Sequence, residues 1–155
     1  MPPPATVSSS WKSNKREGCA TNKKLVDALL PDAVVVLKEI GVANEKNEIP
    51  KTFRGQISSF AAAVSTGSLL AAAAFFNDQA NAKSDRSKLV KSINVLLKKH
   101  GLTKAAGTTL FDTIRSTPAE KQRKLKEDVL ACAVALKLAM NLYTLNPTIT
   151  EKAGD

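Results

Sequence analysis

The sequence predicts an all-α fold: a single compact bundle of about six helices with a flexible N-terminal arm. Alanine and leucine are abundant, while aromatic residues make up only 5% of the chain. This composition favours helices that pack through small and aliphatic side chains. Apolar residues also recur at helical spacing in every periodic segment. With 155 residues, 43% of them hydrophobic, the chain is long enough to bury one core without metals or disulfides.

Three regions differ in composition. Residues 1–20 are rich in proline, serine and lysine and lack periodicity, so they are predicted to form a flexible basic arm. Residues 21–146 form the predicted helical domain, and residues 147–155 a C-terminal tail. Trp11, the only tryptophan, lies in the arm. Two interpretations of it are open: it docks into a partner, or it belongs to a solvated tail.

The cysteines and the N-terminus indicate a cytoplasmic protein. Cys19 and Cys132 are far apart and lack a CxxC partner, so neither a zinc ribbon nor a disulfide framework is expected. The first residues lack the apolar segment of a secretory signal. Residues 57–76 have about the length of a membrane span, but serines, a threonine and Gly67 interrupt them. We interpret this stretch as buried helices and expect no contact with a membrane.

The positive charge is concentrated in the middle of the chain. The formal net charge is +9. Residues 1–50 and residues 116–155 each contribute a net +1, whereas residues 51–115 hold ten basic and three acidic side chains, a net +7. A regional excess of this kind suggests a surface that meets a polyanion.

The first helix is predicted to begin near Thr21 or Asn22, each a suitable N-cap, and to run toward Gly41. Its apolar side is formed by Leu25, Val26, Leu29 and Leu30. Because Pro31 removes a backbone donor and disfavours the helical conformation of its predecessor, a kink or break is expected near Leu30. Residues 42–49 are predicted to form a polar connection.

A second helix is predicted from Pro50, with Gly67 at its end. Its core side is formed by Phe53, Ile57, Phe60 and Val64. The opposite arc carries cations and hydroxyls and is predicted to be exposed: Lys51, Arg54, Ser58 and Ser65. Residues 68–76 are apolar on all sides and are predicted to form the most buried element of the domain.

Ser84 is predicted to cap a fourth helix that ends at Gly101. Its core side is formed by Leu89, Ile93, Leu96 and Leu97. Another side carries four lysines within about a third of the helix circumference: Lys88, Lys91, Lys98 and Lys99. No acidic residue lies between Arg86 and Phe111. A short helix is predicted around residues 110–114.

A long closing helix is predicted to start at Thr117, Pro118 and Glu120, which together form a capping-box pattern with proline at the first position. One apolar side consists of Leu125, Val129, Cys132, Leu136, Met140 and Tyr143. A second apolar stripe consists of Leu130, Val134, Leu138 and Leu142. This stripe is either buried or an exposed patch through which copies stack. We predict the core for Leu130 and Val134, and the patch for Leu138 and Leu142.

The sequence contains no recognisable catalytic or cofactor site. His100 is the only histidine, and it is interpreted as a residue at a helix C-terminus. Asp78, Asp85 and Asp112 lie at no spacing that would hold a magnesium pair. Phosphate-binding glycine motifs and the nucleophile elbow are absent from the sequence. No enzymatic activity, metal or other cofactor is therefore predicted.

The block from Phe53 to Phe76 resembles the small-subunit family of the type III-B CRISPR (Cmr) effector complex. An aromatic-basic pair, Phe53 and Arg54, opens a helix, and a glycine-leucine step leads into an alanine-rich helix that ends in Phe75 and Phe76. Residues 135–139 resemble the last helix of that family, with Lys137 matching its lysine. The resemblance spans roughly residues 22–145.

The resemblance implies a non-catalytic, all-α subunit that stacks in several copies beside the guide RNA and its target RNA, together with other Cmr-type subunits. Cationic helix faces suit this role because they meet backbone phosphates without reading sequence. The candidate RNA-contacting residues are Lys51, Arg54, Lys88, Lys91, Lys98 and Lys137, and the candidate subunit contacts are Leu138 and Leu142. Two alternatives remain open: the lysine stripes are solvated helix faces, or the chain is a protein-interaction scaffold or type III-A small subunit whose basicity is incidental.

Overall fold

The all-α prediction is confirmed by a computed structural model, which describes residues 23–77, 86–103 and 109–146. These residues form six α-helices: α1 (residues 23–39), α2 (Lys51–Thr66), α3 (Leu69–Asn77), α4 (Ser87–Lys99), α5 (Leu110–Ser116) and α6 (Gln122–Ala139). Short 3₁₀ turns, Ala119–Lys121 and Met140–Leu142, flank α6. Strands β1 (Glu48–Pro50) and β2 (Thr144–Asn146) pair in parallel. The predicted arm and tail, both N-cap candidates of α1, and Ser84 lie outside the described residues.

A single hydrophobic core joins the helices. Helix α6 packs against α2 and α4, and α3 packs against α2, α4 and α5. The predicted core sides of α2 and α4 are confirmed as buried. The predicted core side of the closing helix is also buried, except that Tyr143 is half-buried. Phe60 meets Phe76 edge to face with 5.2 Å between ring centroids. The helical spacing of apolar residues thus identified the inner side of three helices.

Of the kink or break predicted near Leu30, the break does not occur, because helix α1 runs without interruption through Pro31. A kink there stays a prediction. Buried residues lie on both sides of the proline, including Leu29, Ala33 and Val36. Their packing outweighs the roughly 3 kcal/mol that an internal proline costs. Pro31 and Asp27 are both exposed. Pro31 has no N–H to donate to the Asp27 carbonyl. Water can therefore reach this carbonyl and hydrogen-bond to it instead.

The connection between α1 and α2 is less polar than predicted. Val42, Ala43 and Ile49 are buried, and β1 pairs Ile49 with Leu145 near the end of the described chain. The side-chain oxygen of Asn44 accepts hydrogen bonds from two backbone amides in the loop, including that of Glu48 at 2.9 Å. These hydrogen bonds hold the loop in the conformation that leads into β1.

The start of α6 differs from the predicted capping box. The Thr117 hydroxyl donates to the Thr113 carbonyl at 2.7 Å, so it belongs to the last turn of α5. The Gln122 amide nitrogen donates to the carbonyls of Ile114 and Thr117 at 2.7 and 2.8 Å. The 3₁₀ turn after Pro118 then leads into α6, with no side-chain cap at either N-cap position. The long helix exists as predicted, but its capping prediction is wrong because α5 ends too close to it.

Helix α3 is not the most buried element. Leu69, Ala72, Ala73 and Phe76 are buried, whereas the other side of the helix is apolar and exposed: Leu70, Ala71, Ala74 and Phe75. Sequence periodicity could not decide which side of a uniformly apolar helix is covered. None of the helices in the described ranges has the length and apolar character that crossing a membrane requires.

Candidate RNA interface and assembly surface

Helix α2 presents its predicted basic stripe to solvent. Lys51 and Arg54 are exposed in its first turns, and Ser58 and Ser65 continue the exposed side. No acidic residue occurs in α2. The buried residues, Phe53 among them, turn the opposite side of the helix toward the core. The packing of α2 therefore holds both cations outward.

The lysines of α4 are divided between two surroundings. Lys88 is half-buried and its ammonium donates to the Gly41 carbonyl at 3.3 Å. Lys99 forms an ion pair with Glu39 at 3.2 Å. Lys91 and Lys98 are exposed and lie seven residues apart, which places them on one side of the helix. The tertiary structure thus turns Lys88 and Lys99 toward the end of α1.

Helices α2 and α4 are in contact with each other, and both pack on α6. Together they carry six basic side chains and no acidic one. Lys99 is paired with Glu39 of α1, but neither α2 nor α4 itself carries an acid that would offset the positive charge of its cations. Five of the six predicted RNA-contacting residues lie on these two helices.

Lys137 lies elsewhere. It is exposed on α6, next to the fully buried Leu136 and three residues after Val134. Residues three apart are neighbours on a helix surface. Its charge therefore borders the exposed apolar stripe of α6.

The second apolar stripe of α6 is largely uncovered. Val134 is 46% exposed, Leu138 44% and Leu142 69%. Leu130 is half-buried and packs against the core. Leu138 and Leu142 are thus exposed, as a patch requires, but placing Val134 in the core was wrong, because no element of the described chain covers that side of α6. Their role as subunit contacts stays a prediction.

Sequence reasoning missed a second exposed apolar surface, on α3. Phe75 is 59% exposed and Leu70 38%. The guanidinium of Arg86 lies 4.4 Å from the centroid of the Phe75 ring, a cation–π arrangement. The uniformly apolar sequence of α3 was a signal for this surface, but it was interpreted as complete burial.

His100 occupies the predicted position at the C-terminal end of α4. Its ring nitrogen Nε2 lies 2.6 Å from a carboxylate oxygen of Asp32, which ties α4 to α1. Within the three described ranges, no group of three or more histidine, cysteine or acidic residues is placed to hold a metal ion.

A comparison with protein-family models identifies the family of this chain. The model described as CRISPR-associated protein (Cas_Cmr5) matches residues 32–140. The chain belongs to the Cmr5 family. This confirms the resemblance stated from Phe53 to Phe76, and it makes the protein a small subunit of a Cmr-type, type III CRISPR complex, associated with other subunits of that complex. Neither the search of curated proteins nor that of solved structures gave a match.

The part matched to the Cmr5 family includes all six candidate RNA-contacting residues and Leu138, but it ends before Leu142. It also includes the exposed side of α3. Both candidate surfaces, basic and apolar, therefore lie almost entirely within the part of the chain that matches the family model.

Proposed function

We propose that this chain is a non-catalytic small subunit that stacks in several copies within a type III-B effector complex and contacts the backbone of the guide or target RNA through its basic helix faces. The single observation that carries the RNA contact is the pair of adjoining helices, α2 and α4, with six cations and no acid. Without the cations of α2 and α4, membership of the Cmr5 family would support only a place in the complex and no RNA contact.

Phosphate contacts are the chemistry that this surface suits. Lysine and arginine side chains on helices meet backbone phosphates by charge and give no sequence preference. Lys51, Arg54, Lys91 and Lys98 are all exposed. Lys88 donates a hydrogen bond to the Gly41 carbonyl and adds its positive charge to the same helix. Lys137 would add a contact from α6.

The salt dependence of RNA binding tests this proposal. Fluorescence anisotropy with a short labelled single-stranded RNA should show weak, sequence-tolerant binding. If about four phosphates are neutralised, log K should fall against log salt with a slope of roughly −3. Changing Lys88, Lys91 and Lys98 together to glutamate should abolish the slope while circular dichroism keeps its helical signal.

A matched control keeps the total charge change the same. Lys24, Lys38 and Lys46 are exposed on α1 and the loop that follows it, and changing these three to glutamate should leave a clear negative slope. Equal slopes in the two triple variants would mean that the α4 lysines form a solvated helix face. A flat slope in the unmodified chain would favour a scaffold with incidental basicity.

Stacking of copies is supported by the apolar residues that the fold leaves uncovered. The two exposed sets are distinct: Val134 and Leu138 on α6 with Leu142 in the turn after it, and Leu70 and Phe75 on α3. Clusters of large apolar side chains in solvent are typical of protein interfaces. Sedimentation velocity over a range of concentrations should therefore show self-association, and an unchanging monomer at the highest concentrations would contradict it.

The non-catalytic role has its own test. The purified chain should cleave neither RNA nor DNA when magnesium, manganese or zinc is supplied. Cleavage that a point substitution in this chain removes would overturn this part of the proposal.

A further inference from the structure

A cavity of about 500 Å³ opens where the end of α4 meets the turn between α5 and α6. This volume lies in the range of small-molecule sites, roughly 300–1,000 Å³. Its lining includes apolar side chains, Leu102, Pro118 and Leu125, and charged ones, Lys121, Lys124 and Asp128. None of these residues belongs to the RNA-backbone or subunit contacts proposed above.

Asp128 is the unusual member of the cavity. It is only 4% exposed, and its carboxylate oxygens lie 3.4 and 3.5 Å from the ammonium of Lys124. The Lys124 side chain is itself 75% exposed, so solvent screens its charge and the contact is weak. A carboxylate can accept about four hydrogen bonds, and burial with few of them formed is unfavourable.

The electrostatic surroundings agree with this geometry. Burial raises the pKa of Asp128, and the neighbouring Lys124 offsets only part of that rise, while Glu127 adds to it. The fold therefore holds a carboxylate where its charged form is disfavoured. Perturbed acids in clefts are more frequent at binding and catalytic sites than elsewhere.

The cavity combines three features that one ligand would have to match. It has apolar lining residues that can contact a flat ring, and a buried acceptor with two oxygens. It also has two exposed cations, Lys121 in the 3₁₀ turn before α6 and Lys124 in the first turn of α6. Guanine offers two adjacent N–H donors on its Watson–Crick edge, and these fit the two oxygens of a carboxylate. Its 5′-phosphate would meet the lysines.

We propose that this cavity binds a guanine nucleotide, with Asp128 accepting hydrogen bonds from the base, Leu102, Pro118 and Leu125 contacting its ring, and Lys121 and Lys124 binding the phosphate. The ligand is either a free nucleotide or a guanosine of a single-stranded RNA. On binding, Lys124 exchanges its long contact with Asp128 for the phosphate, and the base donors replace it on the carboxylate.

Titration of the full chain with guanosine 5′-monophosphate, followed by ¹H–¹⁵N NMR, tests the site. Amides around Leu102 and Leu125 should shift and saturate. Adenosine 5′-monophosphate should bind at least about tenfold more weakly, since it lacks the paired donors. An oligonucleotide with a single guanosine among uridines distinguishes the two sources, and an all-uridine oligonucleotide controls for backbone binding. If the amides around Leu102 and Leu125 saturate at a lower concentration than with guanosine monophosphate, and do not do so with the all-uridine control, the ligand is RNA. Saturation at a higher concentration indicates a free nucleotide.

Three variants assign the roles. Asp128→Asn should weaken the binding of guanosine monophosphate by about tenfold, because the amide keeps only one acceptor. It should change the binding of adenosine monophosphate little. A double variant, Lys121→Gln with Lys124→Gln, should weaken the binding of both nucleotides equally. Because both positions are exposed, the variant should fold normally. Arg123→Gln, at an exposed position of the same helix that does not line the cavity, should have no effect.

Equal affinity for the two mononucleotides would overturn the assignment of Asp128 to the base. Unchanged binding in the double lysine variant would overturn the phosphate position. The absence of saturable shifts in the unmodified chain would overturn the site, whatever the outcome of the salt-dependence experiment on the RNA backbone.

Discussion

Replacing Leu138 by glutamate should weaken subunit contacts while leaving the fold intact. Leu138 is 44% exposed, so slightly more than half of it is covered within the chain. Full burial of a leucine side chain contributes about 1.5–3 kcal/mol, so removing the covered part of Leu138 should cost about 0.8–1.7 kcal/mol. The new carboxylate stays hydrated. Since small domains have stabilities of about 5–15 kcal/mol, the variant should remain folded.

Leu136→Glu is the matched control on the same helix. Leu136 is 0% exposed, so its replacement buries an unpaired carboxylate and should largely unfold the domain. Thermal melting by circular dichroism should show a cooperative transition lowered by roughly 2–6 °C in Leu138→Glu, and loss of that transition in Leu136→Glu.

Assembly provides the second readout for Leu138→Glu. Sedimentation velocity and co-purification with the other subunits should show reduced association at a protein concentration where the unmodified chain associates. A Leu138→Glu chain that no longer melts cooperatively would show that Leu138 supports the core. Normal melting with normal assembly would show that the exposed stripe is not the contact.

Three further outcomes are expected. Because burial raises the pKa of Asp128, ionisation of Asp128 should destabilise the fold progressively above about pH 4. The Asp128→Asn variant should therefore melt at a higher temperature than the unmodified chain at pH 7 but not at pH 3. A difference in melting temperature that is the same at both pH values would contradict this. Gln122→Ala removes both amide hydrogen bonds to the end of α5 and should lower the free energy of unfolding by about 1–2 kcal/mol. Lys121→Ala should leave it unchanged. Equal melting temperatures of the two variants would indicate that water replaces the amide. Burial raises the pKa of Cys132 to about 12, so in a Cys19→Ser chain the remaining thiol should react with Ellman's reagent only after unfolding, and rapid reaction of the native chain would refute the buried position.

Local signals were reliable where one side of a helix is polar. In α2 and α4 the apolar residues recur on one side, and the cations follow on another, so both the core residues, such as Phe60 and Leu96, and the exposed positions of Lys51 and Lys91 could be predicted. The reason is that an amphipathic helix has only one favourable orientation against a core. The family resemblance rested on the same stretch of sequence.

Local signals failed where a helix has more than one apolar side. In α3 and α6, periodicity identified the apolar residues but not which of them a neighbour covers, so Phe75 and Val134 were assigned to the core and are exposed. The capping pattern at Thr117 failed for a related reason: the hydroxyl had a closer acceptor in the preceding helix.

The sequence by itself determined the helical class, the inner side of the amphipathic helices, the positive middle of the chain and the family. Only the tertiary structure decided which lysines of α4 turn toward α1, that residues near 49 and 145 pair as strands, and that Asp128 lies buried beside Lys124 in a cavity. These features depend on contacts between residues distant in sequence, or on the space that several elements leave between them. Helical periodicity reports only the surroundings of one helix, so it carries no information about either.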